Sequence, residues 1–443
     1  MPELYNYQKE IVRQMIEKKG NCLLAVEQGL GKTIITLAFL NKFKIFPKTL
    51  LIIPPILYKN WINEIKKWID KDIKIQYFHS TSDFVDPDAD IYIISYQKFI
   101  KIYYDFVDVD IDCLILDESH WIKNPQSKRF KALMYLLKEK DIPMKILLTG
   151  TPIYNKPIDL WTQFKVINRK LFPSFTKFAN TFTYVKRSKY GYLEYNGVKN
   201  LKLLKDIIKP YLIRVTWDMI DEIEIPPLIT KRIQVGKASH DIVKLFKKIE
   251  LMNNGLEKEK AKKTAYERVG KQKIPAVVEL CLDLLESQDR IVVFGFHREV
   301  LERYKELFER KKIKAGILYG KLTSEQKVKL IEDLRNKKIR VLLINYQAGG
   351  VGLNLEFVKC AVFAELSYVP TEIWQAMMRV FRITSKSPIV VYFPYLTNSY
   401  EEHMINLLLD KEHYFDKVLS MSKQLKIPFT KKKKSWIKKL FGF

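Results

Sequence analysis

Residues Ala25 to Thr33 read AVEQGLGKT, and this stretch decides the fold. An apolar run from Cys22 to Val26 stops at a short loop holding Gly29 and Gly31, and Lys32 and Thr33 then open an apolar helix over Ile34 to Leu40. The expected unit is a strand, a phosphate loop and a helix. Glycines let backbone N–H groups turn inward around phosphate oxygens, and the helix N-terminus favours the anion. Lys32 reaches the terminal phosphates and Thr33 offers its hydroxyl to Mg²⁺. Gln28, Gly29, Leu30, Gly31, Lys32 and Thr33 are therefore the expected lining of an ATP·Mg²⁺ site. Val26 stands where the strict pattern has its first glycine, so a chance Gly-Lys-Thr on a turn is the alternative.

Working outward, 443 residues suggest two or three domains, each able to bury a core. With 47% hydrophobic and 13% aromatic residues the chain is globular. A formal charge of +27 points to polyanions, nucleic acid before an anionic membrane surface. Cys22, Cys113, Cys281 and Cys360 are isolated in apolar runs, which argues against a disulfide framework or a zinc knuckle. No signal-peptide core or membrane-length run is visible. The expectation is a monomer without membrane attachment, in the cytoplasm of a prokaryotic or phage-infected cell.

Residues 1 to 20 read as an amphipathic helix. Strand-like runs follow at Thr49–Ile53, Ile73–Phe78, Ile91–Ser95, Cys113–Leu116 and Ile146–Leu148, with helical segments such as Asn60–Ile69 and Gln126–Lys138 between them. Alternation of this kind predicts an α/β fold, a mostly parallel sheet with helices on both faces and ligand at the carboxyl ends of the strands. Leu114–Leu116 runs straight into Asp117 and Glu118. Two carboxylates ending a buried strand are costly unless they serve a metal or a proton transfer. Asp117 is the candidate Mg²⁺ ligand and Glu118 the candidate base for the attacking water. A hydroxyl-rich turn at Thr149–Thr151 is placed to sense that site.

Between 163 and 230, Phe172, Phe175, Phe178, Phe182, Tyr184, Tyr190, Tyr192 and Tyr195 interleave with lysines and arginines. Such a stretch either tracks a nucleic-acid backbone or forms an aromatic core with solvated lysines. Residues 231 to 275 read as charged helices. From Arg290 the alternation restarts, giving a second sheet without a phosphate loop. It carries Gly349, Gly350 and Gly352 after a strand, then Gln375, Arg379 and Arg382 on a helix near Pro370. Arg379 and Arg382 share a helix face and are candidates to neutralise transition-state charge. The expected domains are 1–162, a nucleotide-binding lobe; 163–275, aromatic/basic and helical insertions; 276–415, a second lobe; and 416–443, a basic tail.

In order, LYNYQ, EQGLGKT, LLIIPPILYKNWINEIKKW, IISYQ, LDESHWIKNPQSK, LLTGTPIYNKPIDLW, YLIR, VVFGFHREVL, YGKLTSEQK, QAGGVGLNL and QAMMRVFRI run from about Leu4 to Lys411. This series resembles the two-lobed ATPases of helicase superfamily two, and among them the Swi/Snf-type DNA translocases; the DESH box, the KIPAVVELCLDLLES run before VVFGFH and FAEL followed by Pro370 look closest to the annealing-helicase branch. The resemblance implies two RecA-like lobes and ATP-driven tracking along double-stranded DNA; no chromatin-reading stretch is visible, so a compact prokaryotic or viral motor for repair, recombination or replication is expected rather than a nucleosome remodeller. It implies that Gln8 reads adenine, that Lys32, Thr33, Asp117 and Glu118 form the hydrolytic centre, that Gly350 and Gly352 lie at the lobe interface, and that Arg379 and Arg382 act as sensor and finger. Thr384–Ser385 departs from the Gly-Gln that normally follows the last motif. An RNA helicase, the motor of a restriction or defence complex and a non-catalytic DNA-binding module are the competing readings.

No acidic residue follows Asp416, while nine lysines do. In TKKKKSWIKKLFGF (430–443), Trp436 with Leu440 and Ile437 with Phe441 sit four apart, so one turn of helix presents them together. The pattern looks like the C-terminal peptides by which phage polymerases grip a sliding clamp. The alternative is a DNA-contacting lysine cluster.

Overall fold

The computed structural model describes residues 3–78, 80, 82–153, 157–187, 193–216, 219–220, 228–252, 256–346, 355–367, 370–380 and 388–401. The chain forms two compact units, divided near residue 222.

The first unit is built on β1 (Asn21–Val26), β2 (Thr49–Ile53), β3 (Ile75–Tyr77), β4 (Ile91–Ser95), β5 (Cys113–Asp117), β6 (Met144–Leu148) and, after a two-stranded ribbon of β7 (Tyr184–Arg187) and β8 (Leu193–Asn196), β9 (Leu212–Val215). The seven-stranded sheet has the order β3-β4-β2-β5-β6-β1-β9, and the paired strands are parallel. β2, β4 and β5 are buried at every position because helices cover both faces, which is why they read as unbroken apolar runs. In this order β6 separates β5 from β1, so the loops leaving their carboxyl ends lie side by side, roughly 5 Å per strand apart. Register keeps them level: Leu148 pairs with both Leu24 and Asp117.

β9 falls inside 163–275, yet it completes the first sheet against β1. The aromatic stretch before it resolves largely into a core. Phe172, Phe178 and Phe182 are buried; Phe172 packs edge-on against the other two and against Phe164, and Phe178 and Phe182 meet at a tilt. Phe175 and Tyr195 are half-buried, and Tyr184 is 54% exposed with Lys199 Nζ 6.0 Å above its ring. Tyr190 and Tyr192 lie outside the described residues.

The second unit holds β10 (Leu228–Lys237), β11 (Ile291–Gly295), β12 (Ala315–Leu318), β13 (Val341–Asn345), β14 (Cys360–Phe363) and β15 (Ile389–Thr397), in the order β10-β15-β14-β11-β13-β12 with parallel pairing throughout. The expectation of helices from 231 needs correcting: β10 runs to Lys237. Its apolar residues are interrupted by Lys231, Arg232 and Lys237, as suits a half-exposed edge strand guarded by charge. A 32-residue helix, Leu256–Ser287, follows and contains Pro275. Beside that proline Lys273 is fully buried, donating to Pro394 O at 3.0 Å and to Glu401 Oε1 at 2.5 Å. Among the described residues no helix is long and apolar enough to cross a membrane. The four cysteines are free and buried.

Candidate nucleotide-hydrolysis site

The loop after β1 turns on two glycines in the left-handed region, Gly29 at φ 87° and Gly31 at φ 79°. Side chains resist that conformation, and at Gly31 a Cβ would also stand 2.6 Å from Gln8 Nε2. Gly31 caps the helix Lys32–Leu40, so the N–H groups of its first turn, which a helix does not bond internally, begin at the loop. Gln8 is buried against this loop: its Oε1 accepts from Tyr5 N at 3.1 Å, and its Nε2 donates to Tyr7 Oη at 3.2 Å. The Tyr7 hydroxyl in turn donates to Leu30 O at 3.0 Å. Lys32 Nζ donates to Val26 O at 2.9 Å, folding back over the loop. Gly150, from the turn after β6, closes the other side, where a Cβ would meet Gln28 Cγ at 2.8 Å and lie 3.5 Å from Lys32 Nζ.

Asp117 ends β5 and Glu118 follows it in the left-handed region, φ 50° and ψ 51°. Such a conformation is uncommon for a side-chain-bearing residue and turns the chain sharply. Both carboxylates are buried. Asp117 Oδ1 accepts from Glu118 N at 2.8 Å, and Oδ2 accepts from the Trp61 indole N–H at 2.8 Å. Burial, and then the neighbouring Glu118 charge, push the Asp117 carboxyl up to about 6, against lowering contributions from Trp61 and Lys32. A folded value above the unfolded 3.8 means that ionised Asp117 costs stability above pH 6, on the order of 3 kcal/mol, and that the cost fades as pH falls toward 4. Asp117→Asn carries no charge to bury but sets its amide NH₂ against one of the two N–H donors, so without nucleotide or metal it is expected to gain in melting temperature relative to the wild type as pH rises from 4 to 8. That gain should shrink below pH 6 in the same thermal melts; a gain that grows on acidification would refute charge burial as the cause.

The loops of β5 and β6 are bonded together. Ser119 Oγ donates to Gln163 Oε1 at 3.0 Å, and Gln163 Nε2 donates to Pro152 O at 2.6 Å. His120 Nδ1 lies 3.4 Å from Thr149 Oγ1 and 3.3 Å from Glu118 Oε2, so the Thr149 turn does contact the acidic loop. Arg214 on β9 donates to Ala25 O at 3.1 Å and Gly150 O at 3.4 Å, tying the phosphate-loop strand to the β6 turn. Gln163 escapes a reading of the sequence, since nothing local marks a glutamine in an apolar helix as the bridge between two loops.

In the second unit Arg379 is buried in the last turn of the helix Pro370–Val380, and its carbonyl accepts from Leu355 N at 3.1 Å. It is thus not an ordinary surface arginine. Gln375 on the same helix is buried too. Gly349, Gly350, Gly352 and Arg382 lie outside the described residues, as does the tail from 402 onward.

These residues fit ATP and Mg²⁺. The glycine cradle is one that a Cβ would fill, a lysine lies across it, and a buried carboxylate pair stands at the end of a nearby strand. Among the described residues no group of three His, Cys, Asp or Glu side chains is assembled. Mg²⁺ is commonly held by one or two carboxylates together with substrate phosphates, and Asp117 and Glu118 offer such carboxylates.

The SNF2-related domain model matches residues 7–290, and the helicase conserved C-terminal domain model matches residues 272–384. The chain is 26% identical over 425 residues to the SWI/SNF-related matrix-associated actin-dependent regulator of chromatin subfamily A-like protein 1 of Xenopus laevis, covering 92% of this chain and 43% of that protein. It is 26% identical over 429 residues to the human DNA annealing helicase and endonuclease ZRANB3, covering 88% of this chain and 38% of that protein. The chain thus spans less than half the length of these two relatives. Among solved structures, the Sulfolobus solfataricus SWI2/SNF2 ATPase core in complex with dsDNA is similar with a TM-score of 0.46 and 22% identity, covering 95% of this chain and 98% of that one.

Proposed function

The chain belongs to the SNF2-related domain family, and from that premise we propose that it is an ATP-dependent motor on double-stranded DNA. On this reading it has two RecA-like lobes, hydrolyses ATP and tracks along the duplex, as a monomer, in repair, recombination or replication. The observation that carries the reading is the buried Asp117–Glu118 pair at the end of β5, two strands from the glycine loop. The formal charge of +27 supports a polyanionic track, and the similarity to an annealing helicase supports that branch of the family.

Gln8 would read the adenine, while Lys32 and the N–H groups of Gly29 to Thr33 hold the phosphates. Thr33 and Asp117 would hold Mg²⁺, which when bound draws negative charge from the terminal phosphate. Glu118 orients the attacking water and takes its proton. Arg379 and Arg382 would neutralise charge developing on the transferred group.

The test is ATP turnover with duplex, forked, single-stranded and RNA ligands. Duplex DNA is expected to stimulate most, and the stimulation to fall steeply as salt rises from about 50 to about 200 mM, because phosphate contacts release counterions. Stimulation by RNA alone would transfer the chain to the RNA helicases, and a flat salt response would contradict a backbone-tracking motor. We propose further that the tail grips a ring-shaped sliding clamp through Leu440 and Phe441, which would raise the local concentration of the motor on DNA. Clamp binding measured by calorimetry is expected to vanish when both become alanine; binding that survives the double change returns the tail to a lysine cluster on DNA.

A further inference from the structure

Trp61 is 1% exposed, although it belongs to a helix, Tyr58–Trp68, that is half solvent-facing. Trp61, Ile65 and Trp68 form the buried face, while Lys59, Asn60, Asn63, Lys66 and Lys67 are exposed. The helix follows directly from β2 through the turn Pro55–Leu57, so its start is anchored at the carboxyl end of a central strand. One side thus offers lysines to solvent, and the other places an indole N–H 2.8 Å from Asp117 Oδ2.

An indole is rigid and can only donate, so its hydrogen bond fixes the direction of one carboxylate oxygen. The other oxygen is held by Glu118 N. Together the two bonds set the plane of the Asp117 carboxylate and leave only its remaining lone pairs for a cation or its water shell. A movement of the helix too small to disturb its packing would still lengthen the Trp61 bond, because hydrogen bonds weaken steeply with distance and angle.

We propose that Trp61 is a positioning residue for Asp117, and that the helix Tyr58–Trp68 thereby couples a nucleic-acid phosphate backbone held on its lysine face to the hydrolytic carboxylates. The proposal rests on the ATPase reading above. It adds the route by which DNA outside the site reaches the acidic pair: lysine face, helix, indole, carboxylate. Groups that orient a metal-binding carboxylate from behind typically cost roughly 10–100-fold in metal affinity or activity when removed.

Trp61→Phe keeps the ring in the core and deletes the N–H, and Lys66→Ala with Lys67→Ala strips the outer face alone. The experiment combines three measurements. In ¹⁵N-indole NMR of the full chain, the Trp61 resonance, assigned by its loss in Trp61→Phe, is expected to move on saturation with duplex DNA in the absence of nucleotide, and to move less in the double-lysine variant. Mn²⁺ with a non-hydrolysable ATP analogue is expected to bind Trp61→Phe roughly 10-fold more weakly. Turnover at saturating duplex is expected to fall roughly 10–100-fold in Trp61→Phe, with duplex Kd close to wild type. A Trp61 resonance indifferent to duplex, or a Trp61→Phe protein with wild-type Mn²⁺ affinity and kcat, overturns the proposal. Should Trp61→Phe fail to fold, the Trp61 resonance is assigned by elimination from single Phe replacements of the other six tryptophans, and its duplex-induced shift, smaller in the double-lysine variant, decides the matter. A wild type that hydrolyses no ATP on any nucleic acid refutes the ATPase reading instead, which the NMR and Mn²⁺ measurements distinguish.

Discussion

Glu118→Gln is expected to bind ATP and duplex DNA as the wild type does and to lose roughly 10²–10⁴-fold in kcat. The amide keeps the size and shape of the side chain, so the left-handed turn at 118 and the bond from its N–H to Asp117 stay in place. What disappears is the group that accepts the proton of the attacking water. The change also removes a negative charge whose proximity raises the Asp117 carboxyl, so Asp117 becomes the more readily ionised and cation binding should not suffer. Nucleotide binding by fluorescence titration and single-turnover hydrolysis separate the two effects. Turnover within about tenfold of wild type would remove Glu118 from the role of base.

Lys273→Met is expected to destabilise the second unit by about 3–5 kcal/mol, because it strands a buried carboxylate. Lys273 and Glu401 are both fully buried, and burial raises the Glu401 carboxyl while Lys273 is the main influence holding it down. With the ammonium gone that carboxyl rises further, so the folded state retains its proton more strongly than the unfolded chain does. The deficit should then be largest at neutral pH and shrink on acidification, when Glu401 is neutral in both states. Adding Glu401→Leu should recover most of the loss, since apolar replacement of a whole buried pair is often neutral. Urea unfolding of the two variants between pH 5 and 8 checks this, and a single variant as stable as wild type at pH 8 would refute it.

The parts of the molecule legible in the sequence are those whose chemistry is local. Gly29, Gly31 and Lys32 advertise a phosphate loop because the backbone geometry and the cation are adjacent in the chain, and Asp117–Glu118 stands out because polar groups seldom end an apolar run unprovoked. The parallel sheets are readable too, since β2, β5, β11 and β13 are short apolar runs at helical intervals. Long-range partners are not readable in this way. Nothing near Gln163 says that it bridges the acidic loop to Pro152, and nothing near Trp61 says that its N–H ends on Asp117. β10 reads as helix because an edge strand buries only part of its surface and tolerates lysines that mask its alternation. Of the aromatics in 163–230, burial claims Phe172, Phe178 and Phe182, which a periodic pattern cannot distinguish from a stacking surface.

The position of β9 has a consequence for a chain still on the ribosome. β1, which leads into the phosphate loop, is flanked by β6 and β9, and the bond from Arg214 to Ala25 closes across 189 residues. At ordinary synthesis rates β9 follows β1 by roughly 10–40 s. Throughout that interval one edge of β1 lacks its neighbour, and an unpaired apolar edge is a template for association with other chains. The nucleotide pocket is begun first and finished late, so a nascent chain halted before residue 212 should gain no protection from ATP, whereas one halted well beyond 215 should resist protease in its presence.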